Sequence, residues 1–240
     1  MSLNFRDVIY RLIKDIAIKL RDEGSKLNDS IAKEFISLAE DLGARTAVEK
    51  YWLAAVIGGT WAIGGMDRKD RIRYIKQVYQ LTKDPTRRRD PMLVRDVVYM
   101  KGYRGSRKIN MERMLTFHAK VLENYDAQDI INNPPYYQRL IIDEAERTPN
   151  VRHWTAVVPF KILAVSGVLL SKFINELEPP LGVNVVKGIK FLTGFQVDAS
   201  RKIDRKFMLD LHRHLANLAD TDIFTINSGL WKLGEQLSER

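Results

Sequence analysis

Apolar residues recur along this chain at intervals of three and four. Phe5, Val8, Ile9, Leu12, Ile16 and Leu20 trace one face of an amphipathic helix. Asp29-Ser30 has the chemistry of a helix start and predicts a second helix carrying Ile31, Phe35, Ile36, Leu38 and Leu42, ended by Gly43. A third is predicted from about Thr46 through Tyr51, Leu53, Ala54 and Val56 towards Gly58-Gly59, with a break at Gly64-Gly65. Helical spacing resumes from Arg71 to Leu81. Asp84-Pro85 and Asp90-Pro91 then bracket an expected basic loop, Thr86-Arg87-Arg88-Arg89. Met92–Met100 and Asn110–Leu122 read as helices separated by the stretch 101–106.

Asn132-Asn133-Pro134-Pro135 marks another break, and a helix is predicted from Tyr136 to Glu146. After a short polar turn, an apolar run predicts a helix from Trp154 to about Phe173. Further helices are expected around Val185–Leu192, over Asp198–Leu218 and over Asn227–Leu237. Few segments alternate with period two, and no internal repeat is evident, so the fold class is all-α. The expected organisation is one two-lobed helical domain, with N-terminal helices in 1–48 and a core in 49–240.

Composition narrows the chemistry. The 240 residues include no cysteine, which excludes disulfides, thiolate catalysis and cysteine-ligated zinc or iron–sulfur sites. Residues 1–20 mix charge with apolar side chains and do not have the form of a signal peptide. The 17-residue run from Trp154 to Leu170 holds Pro159 and Lys161, which suits a buried helix better than a membrane span. A cytoplasmic protein without a membrane partner is expected. Between Asp67 and Lys108 there are 14 Lys and Arg against 5 Asp and Glu, an excess equal to the whole chain's +9. A local excess of this kind points to a polyanion, the alternative being a solvated face with its acids nearby in space.

Four segments, in order, resemble the helix-hairpin-helix DNA glycosylases, closest in outline to the archaeal 8-oxoguanine glycosylases. KGYRGSRKINMERMLTFHAKVL (101–122) is similar to the Gly-aromatic stretch and basic helix ahead of the hairpin. RTPNVRHWTAVV (147–158) resembles the hairpin itself, whose usual form is Leu-Pro-Gly-Val-Gly-Pro-Lys-Thr-Ala. PPLGVNVVKGIKFLTG (179–194) looks like the following Pro-Val-Asp segment, and FTINSGLWKLGEQL (224–237) like the closing Leu-Asp-x-x-Leu-Trp-x-x-Gly helix. The resemblance spans roughly 50–240. It implies a two-lobed glycosylase-like fold, a hairpin that holds DNA phosphate, and a flipped base read in a pocket.

Position by position, the resemblance keeps Pro149, Val151, Thr155 and Ala156, and later Leu230, Trp231 and Gly234. Asn150 and Arg152 replace the hairpin glycines, and His153 replaces its second Pro. Trp154 stands where bifunctional members carry the nucleophilic Lys. Asn184 stands where active members carry the Asp, and Asn227 where the closing motif has its own. Asn tolerates the left-handed backbone region, so Asn150 should still make the turn. Arg152 offers phosphate a side chain in place of a close backbone. Trp154 forms no Schiff base and Asn184 carries no charge. Losing one such stabilising group typically costs about 10²–10³ in rate. Lys161 returns to the face of Trp154 roughly 10 Å further along the helix, too far to stand in.

Other residues have quieter readings. Trp154 fits a core aromatic or a stacking surface for a base. His212 and His214, two apart on a helix, point apart and do not suit a metal. His118 reads as a surface or interlobe residue. GGTWAIGG (58–65) matches no phosphate loop and suits close helix packing, and Tyr136-Tyr137 suits packing. The expected function is nucleic-acid binding around a degenerate glycosylase-like centre, with DNA favoured over RNA and no cofactor or metal. The expected contacts are Arg104, Arg107, Lys108, Asn150, Arg152 and His153, with Arg87, Arg88 and Arg89 outside them. The alternatives are a divergent glycosylase or lyase in base-excision repair, and a protein-interaction module in a ribonucleoprotein. The oligomeric state is left open.

Overall fold

The first two expected helices are one. In a computed structural model, which describes residues 5–61, 66–100 and 108–238, α1 runs unbroken from Phe5 to Leu42, 38 residues. Asp29-Ser30 does not restart it. The neighbouring Asn28 is spent in tertiary contacts instead: its amide donates to Thr225 Oγ1 at 3.2 Å and accepts from Ser228 Oγ at 2.6 Å. Cap-type residues break a helix only where the preceding backbone has already left it. Gly43 does end α1, at φ +67°, with Ala44 N–H closing onto Ala39 O at 2.8 Å.

Among the described residues every regular element is helical and no strand occurs. The chain forms two compact units, 32–173 and 1–31 with 174–240, and α1 passes from the second into the first.

Unit 32–173 is built around α2, Ala47–Trp61, whose Tyr51–Thr60 stretch is buried on all sides. Thr46 and Glu49 start it reciprocally. Glu49 Oε2 accepts from the Thr46 N–H at 2.9 Å, and Thr46 Oγ1 accepts from the Glu49 N–H at 3.2 Å. The helices α3 (Arg68–Thr82), α6 (Lys108–Asn124), α7 (Ala127–Asn132) and α9 (His153–Val165) pack on α2. Gly58 and Gly59 lie inside α2 rather than ending it. A methyl on Gly58 would strike Val158 of α9, and one on Gly59 would come within 2.9 Å of Met111 of α6. Close packing thus accounts for the first glycine pair; the second, at 64–65, lies outside the described residues.

The expected basic loop is helical too. Asp84 and Asp90 each accept N–H bonds ahead of a proline, starting α4 (Pro85–Arg89) and α5 (Pro91–Val98). Proline has no N–H to lose in a first turn, so the Asp-Pro pairs start helices and do not interrupt them. The helix α8 (Pro134–Arg147) leads into α9, which stops at Val165 rather than near Phe173. Gly167 turns the chain at φ +72°, and Val168 N–H bonds Leu163 O at 2.9 Å.

The second unit contains part of α1, then α10 (Val183–Thr193), α11 (Lys202–Ala219) and α12 (Ile223–Gln236). Its core joins Leu20, Val185, Ile189, Met208, Ile226 and Leu230. Here backbones meet directly. A methyl on Gly24 would strike Thr225 O of α12, one on Gly229 would strike Leu20 O of α1, and one on Gly234 would strike Asn184 O of α10. No helix among the described residues is long and apolar enough to cross a membrane.

Candidate nucleic-acid interface

The segment between α8 and α9 is a tight turn. Thr148 caps α8, its Oγ1 donating to Glu144 O at 2.8 Å, and Val151 N–H returns to Thr148 O at 3.2 Å. Asn150 sits at φ +64°, in the left-handed region that the turn demands. Arg152 occupies the N-cap of α9 with its side chain exposed, and no side chain caps the helix. The first-turn N–H groups of α9 therefore lie at a helix end, where partial positive charge collects. Trp154, the second residue of α9, is half-buried.

His153 is not at the tip of this turn. It is the first residue of α9 and its ring is buried, whereas its neighbour Arg152 is exposed.

What holds α9 in place is a polar chain through His118, which is buried rather than on the surface. Pro159 lies inside α9 and has no N–H, so the Thr155 carbonyl four residues earlier loses its helical donor. His118 Nε2 takes over, donating to Thr155 O at 2.8 Å, and Tyr51 OH donates to His118 Nδ1 at 3.0 Å. This sets the tautomer. Burial pulls the His118 pKa down to about 4, so the ring is neutral at pH 7. Burial also pushes the Tyr51 phenol up, keeping its proton available to donate. The turn is thereby tied to α2 and α6.

The arginine cluster divides three ways. Arg87 is exposed. Arg88 is turned inward, 5% exposed, donating to Lys83 O at 3.3 Å with its guanidinium 6.0 Å from the Trp52 ring; burial lowers its pKa. Arg89 pairs with Glu123 at 3.1 Å. Lys108 is half-buried, its ammonium 3.4 Å from Met100 O and 5.8 Å above the Tyr74 ring, with its pKa lowered by burial. Arg104 and Arg107 lie outside the described residues.

A further basic surface lies on α3. Lys69, Asp70, Ile72, Arg73, Lys76 and Gln77 line an open groove of about 510 Å³. Arg73 pairs with Asp70 at 2.9 Å and Lys76 with Asp41 at 2.8 Å, exposed ion pairs that salt and phosphate can displace. The basic excess over 67–108 falls partly on this surface.

In the other unit, Asn184 lies half-buried in the first turn of α10. Asn227 is buried, its amide nitrogen donating to Pro180 O at 3.0 Å and lying 3.2 Å from His212 Nε2. His212 Nδ1 donates in turn to Met208 O at 2.6 Å, whereas His214 is exposed. An ionised Asp at position 227 would offer Pro180 O no proton, so local hydrogen bonding itself calls for an amide there. Tyr136 and Tyr137 pack edge to face at 5.1 Å. No family model, no curated protein and no solved structure matches this chain.

Proposed function

We propose that this chain binds nucleic acid, DNA in preference to RNA, through the α8–α9 turn and the basic surface of its unit, around a glycosylase-like centre without catalytic chemistry. One observation carries the proposal. Asn150 makes the left-handed turn that a hairpin glycine would make, and the exposed Arg152 follows it at the uncapped start of α9. Backbone dipole and guanidinium there share one target, an anionic oxygen. The resemblance to the helix-hairpin-helix glycosylases extends the proposal to the two-lobed fold as a whole. Trp154 supplies no nucleophile, Asn184 supplies no carboxylate, and Lys161 is buried two turns further along α9.

The test pairs chemistry with binding. Purified protein should leave 8-oxoguanine and uracil in duplex DNA, and borohydride should trap no covalent adduct, while the same duplex is bound and Arg152→Ala binds it more weakly. Excision that survives Trp154→Ala and disappears with Lys161→Ala would replace this proposal with a relocated nucleophile. Absence of binding to DNA and RNA alike would favour a protein partner for the basic surface.

A further inference from the structure

The unit 1–31 with 174–240 carries a patch in which exposed phenylalanines alternate with lysines. From Lys187 to Phe207 the sequence has six basic residues and two acidic ones. This excess is invisible in the charge summed outside 67–108, which is neutral. Phe191 on α10 is 62% exposed and Phe195, just past its end, is 61% exposed. Gly194, at φ +70°, ends α10 and turns the chain so that Phe195 meets Phe207 of α11 edge to face at 5.8 Å. Large apolar rings left in water this way are costly unless something covers them.

Both acids of the stretch are occupied. Asp198 accepts from the Ser200 N–H at 2.8 Å, and Asp204 accepts from the Asp198 N–H at 3.0 Å and faces Arg201 at 3.7 Å. On α11, Asp210 pairs with Arg213 at 3.4 Å. Lys202 and Lys206, exposed on either side of Ile203, have no ion pair or hydrogen bond among the described residues. The patch thus offers ring faces together with uncompensated positive charge.

We infer that this patch is a separate site for single-stranded nucleic acid, with unpaired bases stacking on Phe191 and Phe195 and the backbone following Lys202 and Lys206. Every nucleobase has a π-face, so such a platform is tolerant of sequence, and the lysines favour a polyanion. An anionic bilayer would also meet the charge, but would reward aliphatic side chains equally, and beside one aliphatic side chain, Ile203, the patch exposes three aromatic ones, Phe191, Phe195 and Phe207. The site does not depend on the turn at Arg152.

The probe is a fluorescein-labelled oligo(dT) of about 15 nucleotides, long enough for one stacking site. Phe191→Ala and Phe195→Ala should each weaken it by about 5- to 150-fold, the range expected for one stacked base. Phe195→Tyr keeps a π-face and should bind like wild type. Phe195→Leu keeps the apolar surface but no π-face, and should fail like the alanine variant. Arg152→Ala should leave oligo(dT) affinity unchanged, which separates this site from the duplex grip. Full binding by Phe195→Leu would overturn the inference. So would alanine variants with wild-type affinity, or capture by phosphatidylserine vesicles without capture of oligo(dT). Helical circular dichroism confirms that each variant is folded.

Discussion

The two units pack their helices through different closest contacts. In 1–31 with 174–240, α12 meets α1 and α10 through glycines, backbone against backbone, at Gly24, Gly229 and Gly234. In 32–173 the close approaches at Gly58 and Gly59 are to side chains, Val158 and Met111, and large aromatic side chains bring polar tips that must be satisfied. Trp52 Nε1 donates to Thr82 Oγ1 at 3.0 Å, Tyr74 OH donates to Val98 O at 2.6 Å, and Tyr51, His118 and Thr155 form their chain. The first design fails when anything is added. The second fails when a partner is removed or protonated. Each therefore has its own way to break.

The largest effect is expected at Gly229→Ala. The new methyl would sit on the Leu20 carbonyl, fixed backbone on both sides, and overpacking of this kind costs about 3 kcal/mol or more. Thermal unfolding of the variant against wild type measures it. Gly182→Ala, with open space around it and an ordinary φ of −76°, is the control and should stay within about 0.5 kcal/mol.

The unit 32–173 should break with pH. The folded His118 has a pKa of about 4 against 6.5 for an ordinary histidine. Between these values the unfolded chain takes up a proton that the folded chain refuses. The stability is complete above pH 6.5 and is lost as pH falls towards 4, by about 3 kcal/mol for this one group. Urea unfolding at pH 7, 5.5 and 4 should show the decline, and the slope should shrink in His118→Gln. A variant with the wild-type pH dependence would place the titration elsewhere.

A smaller effect is expected at the turn. Asn150→Ala puts an ordinary side chain at φ +64° and should cost about 1 kcal/mol, whereas Asn150→Gly relieves the same strain and should be close to neutral. Equal losses in both would mean that the Asn150 side chain, not its backbone, matters there.

Much of this was legible in the sequence because helices in a two-sided environment advertise themselves. Three-four spacing located most of the helices, and Asn150 in place of a glycine pointed to a left-handed turn that is present. What stayed hidden depends on contacts between distant residues. Along the unbroken α1, Asn28 is bonded to Thr225 of α12, 197 residues away. His118 reads in the sequence as a surface or interlobe residue because it follows a run of basic side chains, and it is buried within the unit 32–173. Its burial had one sequence signal, a proline four residues after Thr155 that leaves a carbonyl in need of a donor. Arg88 was read with its neighbours as one basic run, but a helix sends consecutive side chains in different directions, and Trp52 receives one of the three. The Phe191–Phe207 patch was masked because charge was summed over everything outside a single window.

The central claim is that Arg152, beside the turn at Asn150, grips a phosphate. It is tested most directly by the salt dependence of duplex DNA binding in wild type and Arg152→Ala. Each phosphate contact contributes about −0.9 to the slope of log affinity against log salt. The account predicts a steep slope for wild type and one shallower by about 0.9 for the variant, with affinity lowered alike on unrelated sequences. Identical slopes for the two proteins, or a flat response in wild type, would contradict it.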